Sequence, residues 1–140
     1  MNYNEDSVEL QKSMAHVVVE IITYKPNAVV RKTIINRPTG HITVSSFDLG
    51  EELVEKIAPF DNYIQIIEGK ANMIIDDKEF VLSLGEGIII PAHAKLKFHA
   101  NEQFKMVSTM IKSGYEGFWI KLFDSIPCQI KFIWTGDQYQ

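Results

Sequence analysis

The feature that most constrains this chain is a succession of short runs rich in Val, Ile and Thr, separated by compact turn signals. The runs are His16–Val19, Val29–Ile35, His41–Phe47, Tyr63–Ile67 and Ala71–Ile75, followed by Phe80–Leu84, Ile88–Ile90, Leu96–His99 and Phe104–Ile111. Between them stand Lys25-Pro26-Asn27, Arg37-Pro38-Thr39-Gly40, Glu68-Gly69-Lys70, Asp76-Asp77-Lys78, Gly85-Glu86-Gly87 and Pro91-Ala92. β-Branched residues suit a pleated strand, and Gly, Pro, Asn and Asp supply the backbone angles of tight turns. Runs of about four to eight residues, repeating every 8–12 or so, predict an all-β sandwich or barrel. Long helical patterns are too few for the crossovers of a parallel α/β sheet. Asn62–Glu68, Lys70–Ile75 and Glu79–Leu84 are expected to form a meander around two tight turns.

The two ends differ from this middle. Residues 1–15 are mostly polar and lack Gly and Pro. Val8, Leu10 and Met14 make only a broken stripe, so a frayed or short helix is expected there. The domain reading is an N-terminal segment over 1–15, one β barrel over 16–112 and a C-terminal extension over 113–140. Within the extension, Tyr115–Phe123 reads as an amphipathic helical stretch. Gln129–Thr135 reads as a strand, with Ile130, Phe132 and Trp134 on one face. Tyr115, Phe118, Trp119 and Phe123 cap an open barrel end or form a contact patch for a second copy.

A chain of 140 residues with 46% apolar residues is one domain with enough material for a core. Its 14 basic and 18 acidic residues leave a formal charge of −4. That argues against a nucleic-acid partner, whose phosphates are bound by basic faces. No run approaches the ~18 apolar residues of a membrane span. The densest, Val17 to Ile22, is interrupted by Glu20. Cys128 stands alone, so no internal disulfide is expected, and the acidic start is unlike a signal peptide. The expectation is a cytoplasmic protein with neither a membrane nor a nucleic-acid partner.

Gly69 closes the run Tyr63-Ile64-Gln65-Ile66-Ile67-Glu68, and Gly85 is followed after five residues by Pro91. The runs APFDNYIQIIEGKANMIID and GEGIIIPAH, with the later Phe104-Lys105-Met106, complete the pattern. This resembles the cupin superfamily, and in particular a group of small single-domain, RmlC-like cupins. The resemblance covers residues 16–112 and implies a double-stranded β-helix, that is, a jelly-roll barrel, assembled as a homodimer. The family's motifs take the forms G-x5-H-x-H-x3/4-E-x6-G and G-x5-P-x-G-x2-H-x3-N, whose His and Glu hold a metal. Counting back from Gly69 places the Glu position at Asn62 and the His pair at Lys56 and Ala58. Counting forward from Pro91 places the second-motif His at Leu96, with His93 in place of the Gly.

A transition metal needs about three or four N, O or S donors. Lys56 is cationic, Ala58 and Leu96 carry no donor, and Asn62 offers one carbonyl oxygen. No metal and no cofactor are therefore expected. His16, His41, His93 and His99 read as surface or turn residues, and a site rebuilt from them is the alternative.

Strand parity points Asn62, Ile64 and Ile66 inward, joined by Met73, Ile75, Leu96 and Phe98, and turns His99 outward. The candidate ligand cavity is this mostly apolar interior, with Lys56 and Asn62 near one end. Lys56 pairs with a carboxylate, Asp61 being nearest in sequence, or reaches solvent, because a lone buried ammonium is costly. Phe60 is a lid over the cavity or part of the core, and Asp61 offers it a charge. Three functions fit this reading: a metal-free barrel that binds or senses a small ligand, a metal-dependent enzyme with a rebuilt site, or a solid-core dimeric interaction module. The first is the expectation adopted.

Overall fold

The computed structural model describes residues 2–114. The helix expected at Tyr115–Phe123 and the strand expected at Gln129–Thr135 lie outside the described residues, as does Cys128. The strands are β1 (Asn2–Asp6), β2 (Ala28–Arg37), β3 (Gly40–Phe47), β4 (Glu52–Val54) and β5 (Asn62–Gly69), then β6 (Ala71–Ile75), β7 (Lys78–Leu82), β8 (Gly87–Ile90), β9 (Leu96–His99) and β10 (Phe104–Ile111). They make a six-stranded sheet in the order β1-β2-β3-β10-β5-β8 and a four-stranded sheet in the order β4-β9-β6-β7. From β3 to β6 the chain changes sheet at every step, the path of a jelly roll.

Alternation decides which face is buried. On β5, Ile64 and Ile66 are buried while Tyr63 and Gln65 are exposed. On β6, Ala71, Met73 and Ile75 are buried, and on β9 Leu96 and Phe98 are. The β6–β7 hairpin is closed by Asp76 and Asp77, both with positive φ (48° and 69°). Two such residues make the turn whose twist matches the flanking strands.

Register lays the inward side chains of the large sheet in rungs. His41, Met110 and Asn62 are neighbours at one end. Thr43, Ser108 and Ile64 come next, then Ser45, Met106 and Ile66, then Phe47 with Phe104. The interior thus changes from polar to aromatic along the barrel. At the aromatic end Phe47 and Phe104 stack with ring centroids 4.4 Å apart, and Phe98 tilts against Phe47 at 5.3 Å. That end is solid.

Three sequence expectations are corrected. Residues 1–15 begin with a strand rather than a helix: β1 pairs in parallel with β2, from Asn2 against Ala28 to Asp6 against Lys32. The free edge of β2 offers backbone partners that a short polar helix would lack. The run His16–Val19 contains no strand; Val18–Glu20 is a 3₁₀ turn. The meander fails at its first turn, since β5 pairs with β10 and β8, whereas β6 pairs with β7 and β9. Gly69 (φ 76°) and Lys70 carry the chain around a corner between sheets, and an added Cβ at Gly69 would strike the Gln103 carbonyl oxygen. β4, only three residues long, is too short to show alternation in the sequence.

Candidate cleft at the barrel mouth

At the polar end the two sheets part around a cleft of about 70 Å³. Its rim comes from two loops that are tied together. The His93 N–H donates to the Ala58 carbonyl at 2.7 Å, the Glu55 N–H to the Leu96 carbonyl at 2.9 Å, and the Ala92 N–H to Asp61 Oδ1 at 2.8 Å. The loop between β4 and β5 is thereby held against the turn between β8 and β9.

The polar wall is assembled from distant segments: Arg31 from β2, His41 and Thr43 from β3, Asn62 from β5 and Ser108 from β10. Glu55 and Lys56 join from the rim. The rest of the lining is apolar: Ala58 and Phe60 from the rim loop, Ile90 and Met110 beside Asn62 on the larger sheet, and Ala94 and Leu96 from the turn and strand that follow β8. The Arg31 guanidinium is fixed at three points. Nη2 donates to Glu55 Oε2 at 2.6 Å, Nε donates to Ser45 Oγ at 3.3 Å, and the Tyr3 ring lies 5.5 Å from its carbon. Ser108 Oγ donates to Asn62 Oδ1 at 2.7 Å, which orients the amide with its nitrogen free. Burial, followed by the positive charges of Lys112 and Arg31, holds the His41 imidazole below its ordinary pKa of 6.5.

The sequence candidates divide between the cleft and the core. Lys56, Phe60, Asn62 and Leu96 line the cleft. Ile64, Ile66, Met73 and Phe98 are fully buried members of the continuous core and do not line the cleft. Asp61 braces the rim through Ala92 instead of pairing with Lys56, and Lys56 reaches solvent. Sequence reasoning missed Arg31, Thr43, Glu55 and Ser108, and read His41 as a surface or turn residue with a metal ligand as the alternative. The available signal was a polar residue at inward parity in an otherwise apolar strand, as Thr43 and Ser108 are.

The donor set does not fit a divalent metal. His41 and Glu55 are the imidazole and carboxylate in the cleft, the carboxylate is taken by Arg31, and Lys56 adds a second cation. Among the described residues, no group of three or more His, Cys, Asp or Glu could hold an ion. His93 lies in the β8–β9 turn with its backbone at φ 70°, and His99 Nδ1 pairs with Glu52 Oε2 at 2.8 Å.

Two sheets connected in this order make a jelly-roll barrel, and solved cupin structures share this fold. A conserved protein of unknown function from Streptococcus pyogenes is similar at a TM-score of 0.70, with 24% identity over 75% of this chain and 92% of that one. A cupin 2 conserved barrel domain protein from Leptotrichia buccalis is similar at 0.65, with 28% identity over 67% of this chain and 46% of that one. A cupin superfamily protein from Desulfitobacterium hafniense is similar at 0.65, with 22% identity over 73% and 93%. The sequence matches no protein-family model and no curated protein. Among the described residues, no helix is long and apolar enough to cross a membrane.

Proposed function

We propose that this cupin-fold protein binds a small molecule in the mouth cleft without the help of a metal ion. The observation that carries the reading is the convergence, on one concave site, of polar side chains from β3, β5 and the loop after β4 that lack hydrogen-bond partners among the described residues. Fold alone does not assign a function; the side chains of the site do. Among the described residues, Lys56 Nζ, Asn62 Nδ2, the Thr43 hydroxyl and the His41 ring have no hydrogen-bond partner. Polar groups gathered in a partly buried place without partners are satisfied by water or by a ligand. The site lies within the barrel mouth, a common place for ligands in β-barrels.

The test is chemical-shift mapping of the full-length, isotope-labelled chain against a library of small metabolites. Saturable shifts centred on His41, Asn62 and Leu96, lost in Asn62→Leu, are expected. A library in which no compound gives saturable shifts there would refute the reading.

A further inference from the structure

We propose that the ligand of the mouth cleft is a small monocarboxylate, gripped by Arg31 Nη1 and the Lys56 ammonium. This rests on the reading of the cleft as a small-molecule site and deepens it by naming the chemical class.

Arg31 uses Nε on Ser45 and Nη2 on Glu55, which leaves both N–H bonds of Nη1 without a partner among the described residues. Lys56 has three N–H bonds and likewise no partner there. Asn62 has its oxygen occupied by Ser108 and its amide hydrogens free. Glu55, the one carboxylate that lines the cleft among the described residues, already accepts from Arg31. The free hydrogen-bonding capacity is therefore weighted heavily towards donors, and an ionised carboxylate is a pure acceptor. A guanidinium held rigid by other contacts loses little freedom on gripping one.

Charge and shape narrow the class. Two cations, Arg31 and Lys56, less one carboxylate, Glu55, leave a single positive charge on the wall. A singly charged anion balances it, and an amine is repelled. Leu96 faces that wall from the smaller sheet, and Ile90 and Met110 flank Asn62 on the larger one; the three suit a short carbon chain, which inorganic phosphate lacks. The volume of about 70 Å³ matches about two waters at ~30 Å³ each, so the carboxylate has only a few heavy atoms inside the cleft.

The test compares propanoate, its neutral isostere propanamide, and inorganic phosphate on the full chain at low salt. Propanoate is expected to saturate shifts at the Arg31 side-chain N–H and the Asn62 side-chain amide, with propanamide and phosphate weaker by about tenfold or more. Lys56→Met should weaken propanoate about tenfold and leave propanamide unchanged. Arg31→Met orphans Glu55, so the double variant Arg31→Met/Glu55→Gln serves beside it and should abolish propanoate binding. Equal binding of propanamide, stronger binding of phosphate, or indifference to Lys56→Met would overturn the carboxylate assignment while leaving a small-molecule site in place. The same holds if none of the three saturates the cleft and other library compounds do. A cleft that no compound saturates overturns both.

Discussion

The Lys105 ammonium donates to the Val19 carbonyl oxygen at 2.7 Å, joining β10 to the segment that precedes β2. The lysine is nearly buried on the outer face of the large sheet, with Glu68 Oε2 at 3.8 Å and the Tyr24 ring at 5.0 Å. Tyr24 in turn donates to Glu68 at 2.5 Å, and burial together with that carboxylate raises the phenol's pKa. A charged donor to a carbonyl contributes about 1.5–3 kcal/mol. Lys105→Met is expected to lower stability by about 1–3 kcal/mol in urea unfolding. It should also raise amide exchange around Val19 before the strands exchange.

Phe98 closes the solid end of the barrel, tilted against both Phe47 and Phe104. Its side chain is fully buried, so truncation removes apolar contact and leaves a cavity. Phe98→Ala is expected to destabilise by about 3–5 kcal/mol. An unfolding midpoint within a few tenths of a kcal/mol of the parent would contradict the packing described here.

Gly69 and Gly85 share a positive φ (76° and 87°), but their surroundings differ. A methyl group at Gly69 meets the Gln103 backbone, whereas one at Gly85 meets nothing within 4 Å. Both alanine variants carry the left-handed backbone strain of about 1–3 kcal/mol. Gly69→Ala should lose clearly more, because the corner between the sheets must also open. Parallel denaturant titrations of the two variants check this order.

His41 gives stability a pH dependence whose sign follows from burial. Its imidazole is held below 6.5 by burial, Lys112 and Arg31, against a smaller opposing effect of Glu5. Above 6.5 both folded and unfolded chains carry it neutral, and it contributes no slope. As pH falls through 6.5 the unfolded chain takes up the proton first, so stability falls until the folded pKa is passed. His41→Gln should flatten the stability profile between about pH 7 and 5. Further loss is expected as pH falls through 4.5 and below, where Glu9 and Glu52, held low by Arg37 and His99, become protonated.

The barrel was legible because strand burial is a period-2 property, and period 2 survives in a linear sequence. Ile64 with Ile66, and Met73 with Ile75, announce their inward faces without any knowledge of partners. Other features carried no such mark. β1 is polar throughout and is a strand because β2 offers it an edge. The Gly69 turn reads like a hairpin, yet the chain rounds a corner there, because a one-residue connection has the same signal in either case.

The site was half legible. Lys56 and Asn62 emerged from motif spacing, but whether the space beside them was open depended on volumes supplied by Phe47, Phe98 and Phe104. By itself the sequence determined the strands other than β1 and β4, the inward parity and the chemistry available at Lys56, Ala58, Asn62 and Leu96. Only the tertiary structure decided that the apolar half is filled, and that Arg31, His41 and Ser108 meet at the other end. The physical reason is that alternation is local, whereas register across β2, β3, β10 and β5 brings together residues as far apart as Arg31 and Ser108. No local pattern records which rung of one strand will face which rung of the next.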